Sequence, residues 1–94
     1  MSVVIVNEIK GANQGFYDEV TGKTLPDGQL PEGCQLHIAG PMDEGWRVIT
    51  VWDSEEQFQE FRTSSLIPAI QETGQADRVA PEIEARPVYR LITA

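Results

Sequence analysis

Residues 46–53, WRVITVWD, constrain the fold more than any other stretch of the chain. Successive side chains of a strand point to opposite faces. Trp46, Val48, Thr50 and Trp52 therefore point one way, and Arg47, Ile49 and Val51 the other. Both sets are largely apolar. Such a strand belongs at the centre of a sheet that is covered on both sides. Only 94 residues are there to provide the cover. A chain of that length forms a single domain, over residues 1–94, and buries ~60–65% of the surface its unfolded form exposes.

The segments around this strand have clear characters. Residues 2–9 (SVVIVNEI) are β-branched and stopped by Gly11, which is a strand signature. Asn13 is placed to cap a helix over residues 14–21, with Phe16 and Val20 one turn apart and Gly22 as its C′ residue. Residues 22–33 hold Pro26, Gly28, Pro31 and Gly33 and read as a connecting loop, of a length at which lids and binding loops occur. Residues 34–39 alternate, with Cys34, Leu36 and Ile38 on one face and Gln35, His37 and Ala39 on the other. A turn over residues 40–45 joins them to the 46–53 strand as a hairpin.

Ser54 and Gln57 form a capping box, and Glu55 and Glu56 suit the positive end of a helix dipole. On a straight helix Phe58, Phe61, Ser65 and Ala69 make one stripe, while Leu66 and Ile70 are rotated by roughly 80–120° from Phe58. Pro68 cannot sit quietly in a helix interior. A kink or restart is expected near Ser64 and Ser65, with Pro68 in the first turn of a second segment that Gly74 ends. Residues 75–85 are polar and irregular, and residues 86–93 (RPVYRLIT) read as the last strand.

The order is β-α-β-β-α-β. This predicts an α+β, ferredoxin-like fold: a four-stranded antiparallel sheet with two helices on one face. The other face is apolar too, and no element remains to bury it. A second copy is the expected cover, giving a homodimer through sheet faces.

The stretch Gly45-Trp46-Arg47-Val48-Ile49-Thr50-Val51-Trp52-Asp53-Ser54-Glu55-Glu56, followed by Phe58, Phe61 and Leu66-Ile67-Pro68-Ala69, resembles the dimeric α/β-barrel superfamily. Within it the likeness is to small antibiotic-biosynthesis-monooxygenase-like proteins, and the Val51-Trp52-Asp53-Ser54 step is its most specific part. The resemblance implies a dimeric α/β barrel. Known members of the superfamily are cofactor-independent quinone-forming oxygenases, haem-degrading oxygenases, muconolactone-type isomerases, polyketide cyclases and aldoxime-type lyases. Matched to the haem-degrading members, Asn7 falls at their strand-one Asn, Phe61 at their helix Trp and Gln71 at their axial His. Glutamine does not replace an axial histidine, so no haem is expected. Matched to the quinone-forming members, the Asn, Trp and Tyr positions read Val48, Trp52 and Phe58; only the middle aromatic is kept.

Composition narrows the partners. Fifteen acids against seven bases leave a formal charge of −8, which disfavours nucleic acid and anionic membrane surfaces. The longest apolar run is four residues, Val3 to Val6, so no membrane span is expected, and Met1 leads into a strand with no basic leader. Cys34 is the single cysteine, which excludes an internal disulfide and a cysteine-based zinc site. A cytoplasmic protein without cofactor is expected, since phosphate loops, nucleophile elbows and metal spacings are missing from the sequence.

The candidate catalytic residue is His37, the only histidine, whose side chain titrates near pH 6.5 and suits acid–base work. It shares a face with Trp52 if the hairpin pairs in an even register; a slip of one residue places it on the other. Trp52, Phe58, Asn7 and Phe61 are the candidate substrate-binding residues, gathered with His37 around one cavity on the helix side of the sheet. Trp46 and Tyr89 read as packing, Cys34 as a small buried apolar residue, and Glu55, Glu56 and Glu60 as a solvated helix face. Arg47 and Arg90 are placed to pair across strands or at a dimer seam. These features describe a small enzyme or enzyme-like protein that binds an apolar organic molecule for isomerisation, cyclisation or cofactor-free oxygenation. The alternative is a non-catalytic dimeric ligand-binding or structural module.

Overall fold

In the computed structural model, which describes residues 1–78 and 83–94, the order of elements is β1 (Val3–Lys10), α1 (Gln14–Thr24), β2 (Cys34–Met42), β3 (Gly45–Trp52), α2 (Glu55–Phe61), α3 (Ile67–Glu72) and β4 (Ala85–Pro87). The strands form one antiparallel sheet in the order β2-β3-β1-β4. The α+β class holds, and this strand order is that of a ferredoxin-like arrangement. The two-sided apolar strand is central, with β1 on one edge and β2 on the other.

Register decides what the helices meet. Ile5 pairs with Thr50, Asn7 with Val48 and Ile9 with Trp46, so these side chains share one face with Trp52. Phe16, Val20, Ala69 and Ile70 pack there with Ile9 and Trp46. Phe58 packs on the same face against Ile5 and Trp52. The core is thus two clusters rather than one. On the opposite face stand Val4, Val6, Leu36, Ile38, Ile49 and Val51, with Val6 50% and Ile38 53% exposed. Arg47 meets Glu8 across β3 and β1 at 2.9 Å near the rim of that face.

Local chemistry starts each helix as expected. The Asn13 side chain accepts from Phe16 N at 2.9 Å, and Ser54 Oγ accepts from Gln57 N at 3.2 Å. However, α1 runs past Gly22 to Thr24. Thr21 and Thr24 donate their hydroxyls back to the carbonyls of Tyr17 and Val20, and Lys23 pairs with Glu72 on α3 at 3.1 Å. The helix thus continues through Gly22 despite the ~1 kcal/mol that a mid-helix glycine costs. Pro26 then restricts Leu25 and ends the helix. The hairpin is tighter than expected: β2 extends to Met42, paired with Gly45, and only Asp43 and Glu44 turn. Glycine is required at position 45, because a Cβ there would collide with the carbonyl oxygen of Ile9.

The irregularity before Pro68 is a π-turn over Arg62–Leu66, in which the Ile67 N–H reaches back to Arg62 O. A π-turn absorbs one residue. With one residue absorbed, Leu66 and Ile70 return to within ~20° of Phe58 at ~100° per residue. The drifting stripe is therefore one stripe carrying a one-residue insertion. Thr63 and Ser64 donate their hydroxyls to the carbonyls of Gln59 and Glu60, at 2.9 and 2.7 Å.

The last strand is shorter than expected. Its register runs from Ile5–Ala85 to Val3–Pro87, and the Val88 N–H donates to Ser2 O at 2.9 Å. Residues 89–94 are not part of the sheet. Tyr89, read as packing, is 95% exposed, with the Arg90 guanidinium 5.8 Å from its ring centroid rather than paired across strands. Part of the irregular stretch, residues 79–82, lies outside the described residues. Among the described residues no helix is long and apolar enough to cross a membrane.

Ile5, 2% exposed beside Trp52 and Phe58, is the sharpest test of this packing. Ile5→Ala should lower the unfolding free energy by about 2–5 kcal/mol, read as a shifted urea midpoint with an unchanged slope.

Candidate functional site

A β-bulge builds one wall of the site. Cys34 pairs with Trp52, but Leu36 pairs with Val51, so Gln35 is the extra residue. From there His37 faces Thr50 and Ala39 faces Val48. The register is even, and His37 joins Trp46, Val48, Thr50 and Trp52 on the helix side. Because of the bulge, Cys34 is on that side as well, which corrects the simple alternation expected for residues 34–39. Cys34 and His37 are three positions apart, and only an inserted residue lets such a pair share a face. Gln35 turns to the rim instead, where its Nε2 donates to Asp53 Oδ1 at 2.7 Å and Ser2 Oγ at 2.9 Å.

Between the two core clusters lies a cavity of about 70 Å³. That is several times the ~10–15 Å³ a single water needs. His37, Trp52, Phe58, Asn7 and Phe61 all border it. Aromatic rings form its dry end: Trp52 lies 5.7 Å from Phe58, edge-on, and 5.3 Å from Phe61. Trp52 is held by its own indole, whose Nε1–H donates to Thr50 Oγ1 at 2.9 Å. The remaining lining is mostly apolar, which is the usual composition of a small-ligand site.

The polar end belongs to a residue the sequence reading passed over. Tyr17 on α1 places its hydroxyl 2.6 Å from His37 Nε2. Its ring also stacks at 5.5 Å from Trp46, a tryptophan read only as packing, which likewise borders the cavity. Tyr17, Thr21 and Thr24 recur at helical spacing beside the Phe16–Val20 stripe. That second stripe was the available signal. Tyr17, Thr21, Leu25 and His37 also border an open groove beside the Pro26–Gly28 turn. The pair therefore stands where the cavity meets the surface.

Electrostatics sets the charge state of this pair. Burial pushes the His37 imidazole below its ordinary 6.5. Burial, and then the neighbouring Asp18 charge, push the Tyr17 phenol above its ordinary 10.0. Both effects favour a neutral pair. In a neutral pair the hydrogen bond runs from the phenol to Nε2 when the ring proton of His37 is on Nδ1, and from Nε2–H to the phenol oxygen in the other tautomer. Cys34 is also pushed up, first by burial and also by the charge of Asp53, which makes it a poor nucleophile.

A pH prediction follows from the sign of the histidine shift. His37 is less basic in the folded than in the unfolded chain, so below about 6.5 the unfolded state binds more protons. Stability should fall as pH drops from about 6.5 towards the folded value, and level off below it. His37→Gln should flatten this part of the profile, measured by urea midpoints between pH 7.5 and 5.5. A wild-type profile that is flat, or rises towards acid, would contradict the neutral pair. No family model and no curated protein matches the chain.

Proposed function

We propose that this chain is a small-molecule enzyme of the dimeric α/β-barrel kind, working by proton transfer within the cavity. The observation that carries this reading is the 2.6 Å Tyr17–His37 pair at the edge of an otherwise largely apolar cavity. A neutral imidazole is a base at neutral pH. When a substrate enters, Nε2 takes a proton from it, and the Tyr17 hydroxyl donates to the oxygen on which negative charge develops. The imidazolium then returns the proton at a second position. One proton leaves and one comes back, which is the balance of an isomerisation or cyclisation. Trp52, Phe58 and Phe61 hold the ring of a compact organic substrate, and Asn7 offers its carboxamide from the sheet floor.

The same reading makes the protein a homodimer. The outer face, with Val6 and Ile38 half exposed among Val4, Leu36 and Ile49, is the kind of contiguous apolar surface that marks an association site. A sheet-to-sheet pair buries it in each copy. The single thiol suits a reducing cytoplasm.

Two measurements test these statements. Exchange of the α-protons of acetophenone in D2O, followed by NMR, reports proton transfer on a small carbon acid. The wild type should accelerate it, and His37→Gln and Tyr17→Phe should each lose about 10²–10⁴-fold of the acceleration. Equal exchange by all three proteins would leave the pair without a catalytic role. Sedimentation should give about twice the 10.4 kDa chain mass, and Ile38→Glu should give a folded monomer. A wild-type monomer at micromolar concentration would remove the dimer.

A further inference from the structure

The chain has seven bases, all of them among the described residues. None borders the cavity, or the groove that adjoins it at Tyr17 and His37. The base nearest to the groove in sequence, Lys23, pairs with Glu72 on α3 at 3.1 Å instead. The titratable groups on the cavity wall are Tyr17, Cys34 and His37, and burial favours the uncharged form of each. The groove adds two exposed carboxylates, Asp18 and Asp27. The backbone acts in the same sense. Thr21, in the last turn of the eleven-residue helix α1, and Leu25, just past its end, border both spaces. That end of a helix is the negative pole of its dipole. The mouth is therefore negative, and the interior holds no positively charged side chain to offset it.

We infer that cavity and groove together select by charge: they take an uncharged organic molecule and reject a carboxylate or phosphate of the same shape. The inference rests on the cavity being a ligand site and adds the charge class of what enters it. An anion moving from water onto this wall loses its hydration and gains no countercharge, which is the costly case for a buried ion. On the way in it passes Asp18 and Asp27, at a range where salt screens only in part. An uncharged molecule meets neither cost and can still pair with the Tyr17 hydroxyl or His37. Proton transfer keeps this balance. When His37 takes a proton from an uncharged substrate, an imidazolium and an oxyanion arise together, and the net charge of the filled cavity stays zero. A substrate that arrives as a carboxylate adds a charge that no residue of the wall offsets.

Acetophenone and benzoate have nearly the same shape, with a methyl group in one where the other has a charged oxygen. Each is titrated into the whole protein at about pH 7.5 and followed by ¹⁵N–¹H correlation spectra. The ketone should bind at least ~30-fold more tightly. Asp18→Lys, an exposed change on α1, should raise the affinity for benzoate about tenfold by reversing one charge at the mouth, and added salt should shrink that gain. Wild-type protein that binds benzoate as tightly as acetophenone, with the same perturbation of His37 and Phe58, would overturn charge selection and leave the cavity reading standing. An Asp18→Lys protein with no gain for benzoate would overturn the part given to the groove. Failure of both compounds to perturb His37 and Phe58 would overturn the selection and the cavity reading together.

Discussion

Pairing of β3 on both of its edges is the constraint on which everything else depends. The side-chain period of a strand is two, so one register choice on each edge assigns every side chain of the sheet to a face. With Ile5 and His37 both opposite Thr50, the inner face receives Ile5, Asn7, Ile9, His37 and both tryptophans. A slip of one residue on either edge would bring Val6 or Ile38 inward and send Asn7 or His37 out. The close approach of Gly45 to Ile9 and the bulge at Gln35 hold the two registers in place. The site therefore inherits its geometry from backbone pairing, the most rigid part of the molecule.

The cavity shows what this arrangement gives up. A domain of this length gains most by joining its apolar residues into one cluster. Here Phe16, Val20 and Ile70 pack at one end and Ile5, Trp52 and Phe58 at the other, with open space between them. A half-buried histidine and tyrosine face that space. Departures from tight packing and full polar satisfaction concentrate at functional sites. All of these departures occur along one wall.

Much of this was legible in the residues, and the parts that were not share a cause. Asn13, Ser54 and Gln57 act through their nearest neighbours in the chain, so their caps could be read directly. The alternation in residues 46–53 and the offset of Leu66 and Ile70 are periodic signals, and they located the central strand and the helix irregularity. The candidate residues His37, Trp52, Phe58, Asn7 and Phe61 share one cavity only in the even register, which the sequence left open and the pairing of His37 with Thr50 decides. Tyr17 escaped because its partner is twenty residues away on another element, and the stripe it forms with Thr21 and Thr24 marks a face of α1 without saying what that face meets. The bulge at Gln35 escaped because an inserted strand residue leaves the alternation of apolar residues looking intact. The end of α1 lies at Pro26 and not at Gly22, because a glycine tolerated inside a helix looks the same in sequence as one that ends it, and β4 pairs only from Ala85 to Pro87, a limit its own residues do not announce.

The π-turn before Pro68 has a consequence for how such a domain can change over generations. It stores one residue more than the helical stripe requires, over a span whose hydroxyls already satisfy the neighbouring carbonyls. Losing that residue would close the wide turn into an α-helical one and leave Phe58, Phe61, Leu66 and Ile70 in phase. Chain length at this one point can therefore change by a single codon without moving any side chain off the inner stripe.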